Sequence, residues 1–414
     1  MKLYIDPGTG SMLFTILIGI FGTMYYVIRL NFVKLKMRLS RGKEESFQME
    51  KIPFAIYSDH KRYWNVFEPI CKALNERGVD VVYLTSSEDD PVFCCGLEHV
   101  KGQYLGEGNR AFAKLNYISA NIILSTTPGL EVYQWKRSKE VDCYVHILHA
   151  SSDVTLYRMF GIDYYDALLV SGQYQIDDIR KLEKMRNLPE KEIIMAGLPY
   201  MDEMVSRLEK ANPIPKEESK ITVLVAPSWG SSSIFGKFGG EVLKELLKTD
   251  YHIIVRPHPQ SFISETEMIE KIMKEYPESE RLEWNRDNDN FEVLRRSDIM
   301  ISDFSGVIFD FALVYDKPVI YTDTKFDHGP YDAWWLNQPT WTENILPKIG
   351  EKLTESNMPQ IGEIVERCMK NPAYARGREQ ARKETWEFKG EGTEHVVDFL
   401  LSKYDEIKKA EADK

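Results

Sequence analysis

The stretch Ser302-Asp303-Phe304-Ser305-Gly306-Val307-Ile308-Phe309-Asp310-Phe311 decides the fold when it is read beside Arg256-Pro257-His258-Pro259. Each motif follows a β-type apolar run, Asp298-Ile299-Met300-Ile301 in one case and Ile253-Ile254-Val255 in the other. Both therefore sit at the carboxyl end of a predicted strand, the edge where open α/β sheets bind ligands. One supplies a cation and an imidazole. The other supplies hydroxyls and a new helix N-terminus, whose free N–H groups attract anions. Two such edges close together predict a pocket for a diphosphate.

On either side the chain alternates strand and helix, the pattern of parallel sheets covered by helices. Strands are expected at 54–57, 80–85, 121–125, 143–149, 167–171 and 193–195, then at 221–226, 251–255, 298–302 and 319–321. Helical spacing of apolar residues falls between them, as over 63–77 and 173–185. The segment ANPIPKEESK at 211–220 is rich in proline and charge and reads as a linker. The expected architecture is α/β and GT-B-like, two Rossmann-type domains with a cleft between them, preceded by an N-terminal membrane helix. Boundaries are placed at 1–45 for an anchor and basic linker, 46–212 for the first domain, and 213–414 for the second with its C-terminal helices.

Composition narrows the class. A chain of 414 residues that is 43% hydrophobic and 12% aromatic can build sizeable packed cores. Its net charge of −11 argues against nucleic acid as a partner. Five cysteines at 71, 94, 95, 143 and 368 read as buried thiols of a reducing cytoplasm, with a redox-active vicinal pair at Cys94-Cys95 as the alternative. No CxxC or HxxxH spacing marks a metal site, and no cofactor motif is present.

From Met12 to Ile28 the chain reads MLFTILIGIFGTMYYVI, uncharged throughout and at the short end for a bilayer-spanning helix. Arg29, Lys34, Lys36, Arg38, Arg41 and Lys43 follow, so the positive-inside rule places residue 29 onward in the cytoplasm. A cleaved signal peptide would carry its basic cluster on the other side. A buried core helix, and a re-entrant anchor with Asp6-Pro7-Gly8-Thr9-Gly10 as its turn, remain open beside a single span of the inner (cytoplasmic) membrane. The single span is preferred.

Candidate site residues cluster at strand ends. After the strand 221–226 comes a Gly/Ser loop with Ser228, Trp229 and Gly230, whose backbone N–H groups could cradle phosphate oxygens or simply form a turn. Arg256 can take a phosphate in bidentate fashion, and a protonated His258 could neutralise a leaving diphosphate. Ser302, Asp303, Ser305 and Gly306 either bind the same anion or cap the helix that starts near 305. Alternation along 143–149 sends His146 and His149 to opposite faces, with His149 the better candidate for a general base facing the cleft. Asp153 either orients His149 or, as preferred, caps the helix after it, and Asp310 either contacts the ligand or, as preferred, supports the motif around it.

These residues resemble the CDP-glycerol glycerophosphotransferases, the teichoic-acid primase and polymerase class. The likeness rests on His149, Ala226-Pro227-Ser228-Trp229, Arg256-Pro257-His258-Pro259, Ser302-Asp303-Phe304-Ser305, Phe309-Asp310-Phe311, Asp316-Lys317-Pro318-Val319-Ile320-Tyr321 and Gly390-Glu391-Gly392, over roughly 50–400. It implies a GT-B fold and a metal-independent transfer from CDP-glycerol, or a related nucleotide donor, to a lipid-linked or glycan acceptor at the membrane, releasing CMP. It also implies that the first domain serves the acceptor, with His149 as base. Arg256, His258, Ser302, Asp303 and Ser305 would hold the donor phosphates on the second. Many members carry Trp-His-Gly-Thr-Pro around the base, where this chain has Leu148-His149-Ala150-Ser151-Ser152. A nucleotide-sugar glycosyltransferase, a nucleotide-sugar epimerase and a non-catalytic envelope scaffold are the competing classes.

Overall fold

The computed structural model describes Met24 and residues 51–413, apart from 215–219, 288 and 325. Residues 52–414 form one compact unit, with two sheets. The first sheet contains β1 Ile52–Ser58, β2 Val81–Thr85, β3 Val100–Tyr104, β4 Ala120–Ser125, β5 Val141–Ile147, β6 Ala167–Val170 and β7 Glu192–Met195, ordered β3-β2-β1-β4-β5-β6-β7. The second contains β8 Thr222–Ala226, β9 His252–Val255, β10 Leu282–Trp284, β11 Ile299–Ser302, β12 Val319–Thr322 and β13 Gly350–Leu353, ordered β10-β9-β8-β11-β12-β13. Every pairing is parallel, from β1 with β4 to β12 with β13.

Burial explains which strands the sequence announced. All residues of β4 and β11 are buried, so both read as unbroken apolar runs. Three strands were not anticipated: β3 (VKGQY), β10 (LEW) and β13 (GEKL). All three lie at sheet edges, where fewer neighbours cover the side chains and polar residues are tolerated.

The order in which strands are added reverses between β1 and β4 in the first sheet and between β8 and β11 in the second. These are topological switch points, and the carboxyl edge beside each opens a crevice. One apolar cluster runs from Ile56, Phe67 and Ile70 through Tyr200, Met201 and Met204 to Ile308, Phe309 and Phe311, so the two sheets share a core.

The last helix departs from expectation. Residues 213–414 were assigned together, yet the helix Gly392–Ala412 returns to the first sheet. Val396, Val397 and Leu400 are buried in the shared cluster, and the Tyr404 ring packs 4.9 Å from Phe54. Lys403 pairs with Glu192 at 2.6 Å and Arg77 with Asp398 at 2.6 Å. Asp202 organises the entry to this helix by accepting from Trp386 Nε1 (2.9 Å), Gly390 N (2.8 Å) and Gly392 N (3.0 Å).

The span expected at 12–28 and the basic run after it lie outside the described residues, Met24 excepted. Among the described residues no helix is long and apolar enough to cross a membrane. The cysteines are free, but Cys94 is exposed and Cys95 half-buried, so the expectation of buried thiols fails for that pair.

Candidate active site

A cleft of about 430 Å³ opens between the carboxyl edges of the two sheets, and both contribute to its walls. On the first wall, β1 ends at Ser58 and the chain turns through Lys61–Tyr63. His60 caps this turn, its Nδ1 accepting the backbone N–H of Arg62 at 3.1 Å. Arg62 Nη2 donates to Tyr63 Oη at 3.1 Å, and its guanidinium lies 4.8 Å from the centre of that ring. Among the described residues the buried Arg62 Nε has no hydrogen-bond partner. Lys61 is paired with Asp89 and Arg207 with Asp289, whereas Arg62 and Arg256 form no ion pair among the described residues.

His149 stands two residues beyond the end of β5. Its Nδ1 lies 3.0 Å from Thr126 Oγ1 and 3.3 Å from Tyr157 Oη, which leaves Nε2 for a ligand. The Tyr63 ring packs 5.0 Å from it. Burial, helped by the positive charge of Arg62, pulls the His149 pKa down to about 4 and keeps the ring neutral. His146 is buried as expected, but the divergence of the two histidines is not observed. Because the strand stops at Ile147, His146 Nε2 also reaches Tyr157 Oη, at 3.3 Å.

The second wall is built on β8, β9 and β11, whose register sets Val225 beside Val255 and Ala226 beside Ser302. Arg256 and His258 leave the end of β9 into the cleft, and Arg256 is steadied by Asn285. His258 Nδ1 accepts from Gln260 N at 3.1 Å, so the neutral ring carries its proton on Nε2. Burial first, then the charge of Arg62, lowers its pKa to about 3. His258 therefore stands as a neutral N–H donor, and the protonated form expected for it calls for a negative charge beside the ring.

Ser305 and Gly306 line the cleft beside Asp310. The two walls touch here, since a Cβ on Gly306 would stand 2.8 Å from the Ala150 Cβ. Asp310 accepts from Tyr200 Oη at 3.0 Å and opens a π-helical turn, Asp310–Val314; burial pushes its carboxyl up to about 7.

Five expected ligands do not line the cleft. Ser302 is buried and donates to Ala226 O at 2.7 Å. The buried Asp303 carboxylate accepts from the backbone N–H groups of Ser228 (3.1 Å), Ile234 (2.9 Å) and Ser305 (3.2 Å). Gly230 N is held by Glu265 at 3.0 Å. The N–H groups of Ser228 and Gly230 are thus consumed inside the protein, and Asp303 ties the loop to the β11 turn instead of meeting an anion. Trp229 is partly exposed outside the cleft. Asp153 is also corrected: it caps a distant helix, Trp341–Ile349, through Trp341 N (2.6 Å) and Thr342 N (2.9 Å). Lys317 likewise serves the framework, donating to the carbonyls of Leu294 (3.0 Å) and Arg295 (2.6 Å).

Lys61, Arg62, Arg207, Asp289 and Asn290 line the cleft without having been anticipated. The signal was present for two of them: His60-Lys61-Arg62-Tyr63 is a basic cluster directly after a strand. Among the described residues no group of three or more His, Cys, Asp or Glu side chains converges as a metal site would require.

Comparison with known proteins follows the same site. The model of the family described as CDP-Glycerol:Poly(glycerophosphate) glycerophosphotransferase matches residues 158–401. The teichoic acid glycerol-phosphate primase of Bacillus spizizenii is 25% identical over 225 residues, 50% of this chain and 54% of that one. The teichoic acid poly(glycerol phosphate) polymerase of the same organism is 25% identical over 241 residues, 55% of this chain and 54% of that one. This chain therefore spans about half the length of these relatives. Among solved structures, the wall teichoic acid polymerase TagF superposes with a TM-score of 0.53 at 14% identity, covering 85% of this chain and 89% of that one. A UDP-GlcNAc 2-epimerase from Methanocaldococcus jannaschii gives 0.54 at 12%, covering 85% and 100%. Both likenesses bear on the fold alone, and they agree with a GT-B-like arrangement of two parallel α/β sheets.

Proposed function

The chain belongs to the CDP-glycerol:poly(glycerophosphate) glycerophosphotransferase family, and from that premise we propose that it transfers glycerol phosphate, or a related polyol phosphate, from a CDP-linked donor to a hydroxyl of a membrane-associated envelope acceptor. The observation that carries this reading is the pairing across one cleft of a neutral imidazole, His149, with an arginine and a second imidazole, Arg256 and His258. The acceptor hydroxyl gives its proton to His149 Nε2 as its oxygen attacks the β-phosphorus. A new O–P bond forms, the bond from that phosphorus to the bridging oxygen breaks, and CMP departs with the bonding pair. His149 then returns the proton to solvent.

Such a transfer needs little covalent help from the protein; positioning and charge stabilisation dominate. Thr126 and Tyr157 orient the base, and the depressed pKa of His149 keeps it able to accept a proton at neutral pH. On the opposite wall Arg256 and the Nε2–H of His258 meet the diphosphate. A bound dianion would draw His258 back towards protonation, suiting it to the developing charge on CMP. The uncharged stretch 12–28 with its basic flank supports attachment to the inner membrane, the catalytic body lying on the cytoplasmic side.

Incubating the full chain in membranes with CDP-glycerol, CDP-ribitol and a panel of UDP-sugars tests the reading. Acceptor-dependent CMP release is expected, and Arg256→Ala or His258→Ala should slow it on the order of 10- to 1000-fold. Release of a nucleoside diphosphate, or isomerisation of a UDP-sugar without CMP release, would sink it.

A further inference from the structure

Arg62 is the most exceptional charge in the cleft. It is fixed by a capped turn and by Tyr63, and among the described residues its buried Nε has no hydrogen-bond partner and no carboxylate lies within ion-pair distance, the buried Asp59 acting on it only through space. A guanidinium remains charged at any relevant pH, so it cannot relieve its burial by shedding a proton. Lys61 and Arg207 line the same cleft but are already neutralised by Asp89 and Asp289. Two guanidiniums without an ion pair among the described residues are left, Arg62 on the first wall with Asp59 nearby and Arg256 on the second with Asp287 and Asp289 nearby, facing two neutral histidines. The diphosphate bridge of a CDP-linked donor carries two negative charges, one on each phosphate, one for each of these guanidiniums.

In-line displacement fixes which arginine takes which phosphate. The attacking oxygen, the β-phosphorus and the bridging oxygen lie roughly along one line, with the α-phosphate beyond the bridging oxygen. The line starts at the wall that carries the base, so the β-phosphate is nearest His149. Arg62 shares that wall, stacked on Tyr63, whose ring is 5.0 Å from that of His149. Arg256 stands at the end of β9 on the other wall, beside His258.

Building on the donor reading above, we infer that Arg62 is a further catalytic residue that binds the phosphate being transferred, while Arg256 holds the phosphate that leaves with the nucleoside. The two phosphates are thereby divided between the two walls of the cleft. When the bridging bond breaks, each wall keeps one fragment: the new phosphodiester remains with Arg62 and the acceptor, and CMP remains with Arg256. Charge spreads over the equatorial oxygens of the β-phosphate in the transition state, so Arg62 lowers the barrier more than it tightens ground-state binding.

CMP carries only the inner phosphate, and this separates the two arginines experimentally. Calorimetric titration of the full chain with CMP and with CDP, for the wild type, Arg62→Ala, Arg62→Lys and Arg256→Ala, reads the assignment without turnover. Arg62→Ala should keep its CMP affinity and lose most of the extra affinity for CDP, roughly 10-fold, while Arg62→Lys recovers part of it as a point charge. Arg256→Ala should weaken both nucleotides. With donor and acceptor, Arg62→Ala should lower kcat on the order of 100- to 1000-fold with a smaller change in KM. If Arg62→Ala fails to fold, Arg62→Gln makes the same comparison with the side-chain length kept. A CDP-over-CMP preference unchanged in a folded Arg62 variant, or equal loss for both nucleotides, overturns the assignment. Absence of CMP release by the wild type overturns the donor reading alone, because the binding comparison stands without it.

Discussion

His149 and His146 differ by three positions in sequence and meet the same phenol, yet only His149 lines the cleft. His149→Ala should retain nucleotide binding and lose transfer by roughly 100-fold or more, the scale of a lost general base. His146→Ala should instead lower thermal stability, because a ring with 1% exposure is removed from between Tyr157 and Tyr165. Equal loss of turnover at constant stability in both variants would refute the division. The pH profile supplies a second check. The base works only when neutral, so activity is present above its pKa and lost below it. With His149 at about 4, kcat/KM should stay level on acidification from neutrality and fall only as pH passes about 4. Removing the neighbouring charge with Arg62→Gln should move that limb to higher pH. At this scale the sequence located the right loops but not the right atoms. Strand-end position was enough to find His149, Arg256 and His258. It could not reveal that Asp303 would spend its carboxylate on three backbone N–H groups, since that depends on how the Ser228 loop folds back across β11.

Elements were legible in proportion to their burial. Central strands such as β4 and β11 are covered on all sides and show it as continuous apolar runs, while the edge strands β3, β10 and β13 carry lysine, glutamate or glutamine and leave no such trace. The docking of the helix Gly392–Ala412 was hidden for another reason: an amphipathic helix declares that it has a partner but not which one. Asp202 decides the matter here, gathering three donors at the turn before the helix. Asp202→Ala strands those donors and should cost about 1–3 kcal/mol. A lower urea midpoint, with earlier proteolytic release of the last helix, is the expected result. An unchanged midpoint would mean that the packing of Val396, Val397 and Leu400 holds the helix unaided.

For the whole molecule, a core shared between two sheets makes the body a self-sufficient folding unit from residue 52 onward. Deleting residues 1–30 should leave that body folded, with an unaltered circular dichroism spectrum, and move it from the membrane pellet to the supernatant. Complete retention in the pellet would assign membrane attachment to the body. The two-domain plan was readable because strand and helix alternate at the period of parallel sheets, and the pause at 211–220 marks the join. The way the last helix binds the halves back together was not, being a relation between segments from 184 to 321 residues apart and more.

The contact between Ala150 and Gly306 sets how closely the two walls can approach, since even one methyl group on Gly306 would crowd Ala150 at 2.8 Å. That contact lies one residue from His149 and one from Ser305, so it governs whether a stray water can replace the acceptor beside the activated phosphorus. Gly306→Ala should act as a wedge and change the partition ratio of the reaction: less glycerol phosphate reaches the acceptor, and more is lost as the free monoester. Chromatographic separation of the two products measures that leak directly, and an unchanged ratio would mean that the walls close without passing through this point.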